Sequence, residues 1–485
     1  MGFRRQKVQK CLKNALICGR IYILIAFFIE VSEMDEKRSS FTGKIGFVLA
    51  AAGSAVGLGN IWRFPYLAAK YGGGVFLLVY IALSVTFGFS LMIAEIAIGR
   101  KTGKSAIEAF SALDKRFSFV GLLGALVPII ILPYYSVIGG WVLKYFFGFV
   151  SGSATEMAAD GYFGNYISSV GAPLFWFAVF IGATALVVLF GVEKGIEKVS
   201  KIMMPLLVVL TVFIALYTIF TMDGAFEGVK YYIMPDFSHF SVMTVVAAMG
   251  QLFYSMSLAM GIMITFGSYM KKDISIERSV KQIEIFDTGI AFLAGLMIIP
   301  AVFAFSGGDE GALGQGPGLM FVTLPKVFDA MPGGTVIGAI FFLMVILAAI
   351  TSSISLMETI VSIFMDKLHV SRRAGCLIVL GVSLIIGIPA SLGYSAWSGV
   401  TILGMQFLDL FDFVSNSIMM PIVAFATCIF VGFVIKPKAI IEEVTIENEF
   451  KWKGLFSVVI RYIAPVCILA ILASSILSAA GVISI

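Results

Sequence analysis

Long apolar runs separated by short charged stretches dominate this chain, and within the runs apolar residues occupy every helical face, not a single stripe. A run of about 20 such residues satisfies its own backbone hydrogen bonds as a helix and crosses a bilayer. Read this way the sequence predicts about eleven spans. They fall at residues 43–70, 75–99, 119–150, 173–191, 201–221, 242–270, 279–307, 335–368, 374–390, 409–435 and 455–482. The basic residues separate into alternate connections. One set holds Lys37, Arg38 and Lys44, then Arg100, Lys101, Lys104, Lys115 and Arg116, then Lys194, Lys198 and Lys201. It continues with Lys271, Lys272, Arg278 and Lys281, then Lys367, Arg372 and Arg373, then Lys436, Lys438, Lys451 and Lys453. The opposite connections and the spans keep only Arg63, Lys70, Lys144, Lys230, Lys326 and Arg461. Basic residues stay on the cytoplasmic side, so the N-terminus is expected in the cytoplasm and the C-terminus outside.

Two spans break the apolar pattern. The first carries Gly53, Gly57, Gly59, Asn60, Arg63 and Pro65 within Gly53-Ser54-Ala55-Val56-Gly57-Leu58-Gly59-Asn60-Ile61-Trp62-Arg63-Phe64-Pro65. Glycine weakens a helix and proline removes a donor, and in lipid broken backbone survives only inside protein or along a cavity. Five spans later, Gln251, Ser255 and Ser257 sit at mid-membrane depth between Gly250 and Gly261. Helices that end mid-membrane expose N–H and C=O groups to a ligand. Two of them at corresponding places in two halves of opposite orientation point to an alternating-access transporter. The expected layout is one transmembrane domain over residues 37–485. It comprises a first repeat near 43–221, a second near 242–435 and an extra helix near 455–482.

Composition agrees with this class. Of 485 residues 59% are hydrophobic and 13% charged, with mean hydropathy +1.01, against about half and a quarter in soluble domains. The net charge of +5 therefore reads as topology and not as nucleic-acid binding. Cys11, Cys18, Cys376, Cys428 and Cys467 show no paired spacing, and His239 and His369 lie far apart, so no disulfide framework or metal centre is expected. The segment 1–36 reads as an N-terminal extension. Its apolar run Ile21 to Ile29 is too short to span, no small-residue cleavage site follows, and Met34 is the expected start. A chain begun at Met34 should insert and transport like the full one. An amphipathic surface helix is the alternative for this segment.

At the broken helices the chain strongly resembles the neurotransmitter:sodium symporter family, in its LeuT-like bacterial branch with eleven spans. The resemblance rests on Ser54-Ala55-Val56-Gly57-Leu58-Gly59-Asn60, Arg63-Phe64-Pro65 and Gly72-Gly73-Gly74, with Gly250-Gln251, Ser257-Leu258, Tyr134-Tyr135 and Thr351-Ser352-Ser353 in support. It runs from about residue 37 to the last span. It implies an all-α integral membrane protein with a 5+5 inverted repeat and broken helices 1 and 6. It also implies sodium-driven import of a small amino acid and no enzyme activity.

Carried over position by position, the resemblance implies two sodium sites. One uses the Ala55 carbonyl, Asn60, Ser255 and Asp287. The other uses the carbonyls of Gly53, Val56 and Ala348 with the hydroxyls of Thr351 and Ser352. Taken alone, the Thr-Ser pair reads as hydroxyls back-bonded to the preceding turn. The substrate carboxylate would meet the Leu58 and Gly59 N–H groups, the first sodium and the Tyr135 hydroxyl, and its amine the broken-helix carbonyls, with Ser54, Ala55, Ser255 and Ser257 among the surroundings. Ile131, Tyr254, Ala259, Met260, Ser352 and Leu356 would line the side-chain pocket. None is acidic, so an apolar or aromatic L-amino acid is expected. Tyr254 stands where the family commonly has phenylalanine, and Ala259 where it commonly has glycine. Arg63 and Asp412, with Asp409 as rival, correspond to an outer gate. Arg38 and Asp366, with Tyr269 and Glu358 nearby, correspond to an inner one. Glu95 is expected to accept hydrogen bonds from the unwound first helix, and Gly195 and Pro205 to bracket a helix start able to unwind.

Asp287 is the sharpest departure. The family commonly has asparagine there, and animal members balance the sodium charge with chloride. A covalent carboxylate would replace that anion, so no chloride requirement is expected. Once sodium leaves, the carboxyl would favour protonation and the return step could carry a proton outward. The partners expected are an amino acid and the bilayer, without nucleic acid and without any required homo-oligomer. Two alternatives stand beside symport of an amino acid: symport of another small zwitterion, and a channel that conducts sodium. A membrane-embedded enzyme lacks a convergent catalytic or metal-ligand set.

Overall fold

The computed structural model describes residues 40–307 and 318–479. The expectations for segment 1–36, for Met34 and for Arg38 lie outside these residues. Among the described residues nine helices are long and apolar enough to cross a membrane. They are Gly74–Thr102, Lys115–Val150, Gly171–Leu189, Val192–Thr221, Ile276–Ser306, Gly334–Leu368, Arg372–Leu392, Phe407–Val434 and Lys453–Ser478. A tenth crossing is made by Lys44–Ala55 and Gly59–Lys70, which meet at a 55° bend. The remaining expected span is Val242–Ser255 followed by Ile262–Ser268, each half short because Met256 to Gly261 leaves the helix. These eleven units are called the first to eleventh spans below.

Local chemistry sets many of the ends. Ser371 caps the ninth span by accepting from Ala374 N, and Ser241 with Thr244 forms a reciprocal capping box at the sixth. The second and seventh spans stop at Gly103 and Gly307, both in the left-handed conformation. Large apolar side chains such as Phe220, Val242 and Ile385 are more than two-thirds exposed. On a belt of spanning helices that is the lipid-facing surface.

The third and eighth spans, 33 and 35 residues long as helices, pack along each other as the central pair. The fourth and ninth spans cover them, and the first, fifth and seventh close the opposite side. The Gly195 segment folds as a π-turn, Val192–Glu197, continuous with a helix that runs through Pro205. This helix start, a plain boundary or one able to unwind, is wound in this conformation. Glu197 holds the turn against the first span, accepting from Thr42 N at 2.8 Å and from the Thr42 hydroxyl.

Candidate functional site

The two interruptions face one another. The Ser257 hydroxyl donates to the Ser54 carbonyl at 2.9 Å, the Ser54 hydroxyl to Ser257 Oγ at 3.1 Å, and Gln251 Nε2 to the Gly59 carbonyl at 2.9 Å. Only glycine fits two of these positions. A Cβ at Gly57 would lie 2.8 Å from Ser352 Oγ and 3.0 Å from Tyr135 OH. One at Gly59 would lie 2.4 Å from the Tyr254 ring. The sixth span turns through Ser257 at φ 53° and Ala259 at φ 60°. Non-glycine residues hold that conformation only when their surroundings impose it.

Beside the break lies a buried carboxylate. Asn60 Nδ2 donates to Asp287 Oδ1 at 2.8 Å and to Ser255 Oγ at 2.9 Å, and the Ser255 hydroxyl donates to the same Oδ1 at 2.7 Å. Tyr80 OH reaches Oδ2 at 3.3 Å. Asn60 Oδ1 in turn accepts from Gly57 N at 3.1 Å, so one side chain ties the break to the carboxylate. Asp287 is 0% exposed, and its side-chain donors are all neutral. A carboxyl so placed keeps its charge only with a cation beside it. Of the set expected around the first sodium, the Asn60, Ser255 and Asp287 side chains are thus brought together, Asn60 through its amide nitrogen with its oxygen turned to Gly57 N. Tyr80 was missed, although a tyrosine inside a span signals a hidden partner for its hydroxyl.

The second expected set converges in part. Ser352 Oγ lies 3.3, 3.0 and 3.2 Å from the carbonyls of Gly53, Ser54 and Val56, across from its own helix. Thr351 keeps the back-bonded geometry, donating to the Leu347 and Ala348 carbonyls at 3.0 and 3.1 Å. Its Cβ nonetheless sits against Gly53, 3.1 Å from where a Cβ would be. The pair therefore divides its labour: one hydroxyl crosses to the break and the other stays on its own turn.

Between the breaks is a narrow cavity of about 30 Å³, lined by Ser54, Ala55, Gly57, Leu58, Gly59, Asn60, Ile131, Tyr135, Tyr254, Ser257, Met260, Ile262, Ser352 and Leu356. In this closed conformation it has room for little more than a water, and no lining side chain is charged. The Tyr135 hydroxyl accepts from Leu58 N at 3.3 Å at its polar end. Two of the expected pocket residues are not on this wall. Ser255 faces the Asp287 cluster instead. Ala259 turns away because its N–H donates to Glu95 Oε1 at 2.7 Å. Glu95 therefore clamps the sixth span and not the first, which corrects the expectation for it. The left-handed turn at Ala259 aims that N–H at the second span. Gly57 and Ile262 join the wall unforeseen.

The two expected gates differ. Arg63 and Asp412 form no ion pair within 4.0 Å: the Arg63 guanidinium lies 5.4 Å from the centre of the Tyr254 ring. Asp412 Oδ1 accepts from Asn416 Nδ2 at 2.6 Å and from Tyr134 OH at 3.1 Å. The expected closed pair is replaced in this conformation because Tyr254 occupies the guanidinium and two neutral donors occupy the carboxylate. Asp409 accepts from Tyr394 OH at 3.3 Å. At the other end Glu358 accepts from Tyr269 OH at 2.7 Å and takes a bidentate pair from Arg372 at 2.6 and 2.9 Å. Asp366 accepts from Ser105 N at 2.8 Å. Arg372 had counted only as a loop charge, and nothing in its neighbours along the chain announces that it is buried. Glu284, one turn from Asp287 on the seventh span, is 7% exposed with Oε1 unpartnered.

Comparison with known proteins settles the family. A model of the Sodium:neurotransmitter symporter family matches residues 38–158 and 149–482. The chain belongs to this family. It is 35% identical over 450 residues to the uncharacterized sodium-dependent transporter YhdH of Bacillus subtilis, spanning 90% of this chain and 97% of the relative. It is 27% identical over 457 residues to a sodium- and chloride-dependent taurine transporter of Rattus norvegicus, spanning 84% of this chain and 72% of that one. Among solved structures it matches MhsT in complex with L-phenylalanine with a TM-score of 0.82 and 37% identity, spanning 90% of this chain and all of that one. The symporter fold is thus the LeuT-like arrangement, and the protein is a sodium-dependent membrane transporter and not an enzyme.

Proposed function

We propose that this symporter imports a hydrophobic or aromatic L-amino acid together with sodium by alternating access. The observation that carries the reading is the cavity between the two breaks, lined by apolar and neutral side chains and flanked by the carboxylate cluster. A zwitterion's charged groups can be met there by exposed backbone groups, Tyr135 and the cation, leaving the rest of the chamber to an uncharged side chain. The bound L-phenylalanine of MhsT supports the same choice. Sodium is cargo at both oxygen clusters, one around Asn60, Ser255 and Asp287 and one around Gly53, Val56, Ala348, Thr351 and Ser352. Arg63 and Asp412 close the outer side and the Asp366 and Glu358 groups the inner, with the N-terminus cytoplasmic and the C-terminus outside.

Asp287 supplies the compensating negative charge, so transport proceeds without chloride. Uptake in proteoliposomes with each of the twenty amino acids, with and without a sodium gradient, tests the assignment. The expected result is concentrative uptake of phenylalanine-like or leucine-like substrates, unchanged when gluconate replaces chloride. Preference for a charged amino acid, or sodium flux without accumulation, would overturn it.

A further inference from the structure

The tenth span is anchored to different partners at its two ends. Near its start Asp412 and Asn416 bond to Tyr134 of the third span, and this half packs against the third and ninth spans. At its far end the chain turns through Lys436 at φ 64° into a short helix, Lys436–Val444. There Glu443 Oε1 accepts from Arg100 Nε at 2.8 Å and from Lys272 Nζ at 2.6 Å. The Glu443 carbonyl accepts from Arg100 Nη2 at 2.5 Å, and Arg100 Nη1 donates to the Ile274 carbonyl at 2.7 Å. The side chains of Arg100 and Glu443 are 1% and 5% exposed.

A second tie follows along the same connection. Lys451 N donates to Glu277 Oε2 at 3.3 Å, and the Lys281 ammonium lies 5.1 Å from the Trp452 ring centre and pairs with Glu277 at 2.6 Å. Every one of these anchors belongs to the second span, to the connection between the sixth and seventh, or to the seventh. The second and seventh spans, with the first and sixth, supply the Asp287 cluster, through Asn60, Tyr80 and Ser255. The third and eighth supply the opposite wall of the cavity through Ile131, Tyr135, Ser352 and Leu356.

We propose that Arg100 and Glu443 are positioning residues for transport. They fasten one end of the tenth span to the group that holds the ion cluster, so that movement of this group is delivered along the span to Asp412. An arginine with three engaged nitrogens and a buried carboxylate makes a geometrically defined joint, whereas a single lysine contact would slide. The left-handed Lys436 lies between span and joint, so a shift of the short helix with the second span is passed through this bend to the end of the tenth. The inference rests on the alternating-access reading above.

The test compares wild-type protein, Glu443→Gln and Lys272→Gln in proteoliposomes, with L-phenylalanine and sodium as probes. Glu443→Gln keeps the shape but removes the charge that Arg100 and Lys272 share. Maximal uptake should fall about tenfold, within the usual span of coupling free energies, while sodium-dependent binding stays within about twofold. Lys272→Gln, which removes the exposed half of the joint, should give a smaller loss of the same kind. Hydrogen exchange supplies the readout that a purely structural role would not move. Addition of sodium and L-phenylalanine should slow exchange both at residues 57–63 and at 407–416 in wild type, but only at 57–63 in Glu443→Gln. Unchanged uptake and exchange in Glu443→Gln would overturn the coupling. So would a parallel drop in binding, uptake and melting temperature, which would make the joint structural only. Absence of sodium-dependent uptake in the wild type instead overturns the transport reading itself.

Discussion

At the face that carries Glu358 the charged side chains are tied to one another, whereas at the face that carries Arg63 they are held apart. Glu358 is fully buried, with Arg372 bidentate on it and the Tyr269 hydroxyl beside it. Arg63 rests over a tyrosine ring, and Asp412 is occupied by Asn416 and Tyr134. Opening the first end requires separating ions that have left water, where the low dielectric makes their attraction strong. Closing the second requires only that a part-buried guanidinium leave a ring for a carboxylate. The difference teaches that the two ends are unequal barriers: one is a lock and the other a latch.

The comparison breaks most completely at Glu358. Glu358→Ala leaves the Arg372 guanidinium buried without its anion, and the expected loss is about 3–5 kcal/mol of stability, read as a large fall in melting temperature of the purified protein. A loss under about 1 kcal/mol would mean that water reaches the pair and that this end resembles the other.

The next effect is at the ion cluster between the two ends. Asp287→Asn keeps an oxygen and removes the charge, so sodium half-saturation should rise about tenfold, equivalent to about 1.4 kcal/mol, or uptake should acquire a chloride requirement. An asparagine variant with unchanged sodium affinity and no chloride response would remove Asp287 from the site.

At the Arg63 face the losses should lie in rate and not in folding. Asp412→Ala or Arg63→Ala should lower uptake about tenfold while sodium-dependent binding survives, and exchanging the two residues should recover part of it. Normal uptake by Asp412→Ala would pass the gate to Asp409, which is already bonded to Tyr394. The smallest effect is expected for Tyr254→Phe, which keeps the ring under the guanidinium. A contact of this kind is worth about 0.5–1 kcal/mol when exposed, so the retained ring should hold uptake within about twofold and Tyr254→Ala should do worse.

How much was legible beforehand depended on how far each signal lay along the chain. Asn60 and Ser352 were readable because their neighbours break a pattern: glycines in an apolar run, and adjacent hydroxyls in a span. Ser255 and Ala259 come from the same stretch; Ser255 stands beside Asp287, as its place in the first sodium set implies, whereas Ala259 leaves the pocket it was expected to line. The side-chain period of a helix does not apply where φ becomes positive, so the turn at Ser257 and Ala259 rotated Ala259 N–H toward Glu95. Arg372 and Arg100 count in the sequence only as basic residues of the connections, because the carboxylates they meet, Glu358 and Glu443, lie 14 and 343 residues away.

The sequence by itself determined the membrane class, the spans, the two breaks and the family, since each of these is written in contiguous residues obeying one local rule. A run either closes its backbone bonds in lipid or does not, and glycine, asparagine and proline in mid-run mark where it does not. Only the tertiary structure decided which oxygens converge on one point, which charges are paired and which stay apart, and which end of the tenth span is fastened to which neighbours. Those outcomes depend on distances between segments hundreds of residues apart, and the energy of a buried charge is set by what packs against it and not by what precedes it in the chain.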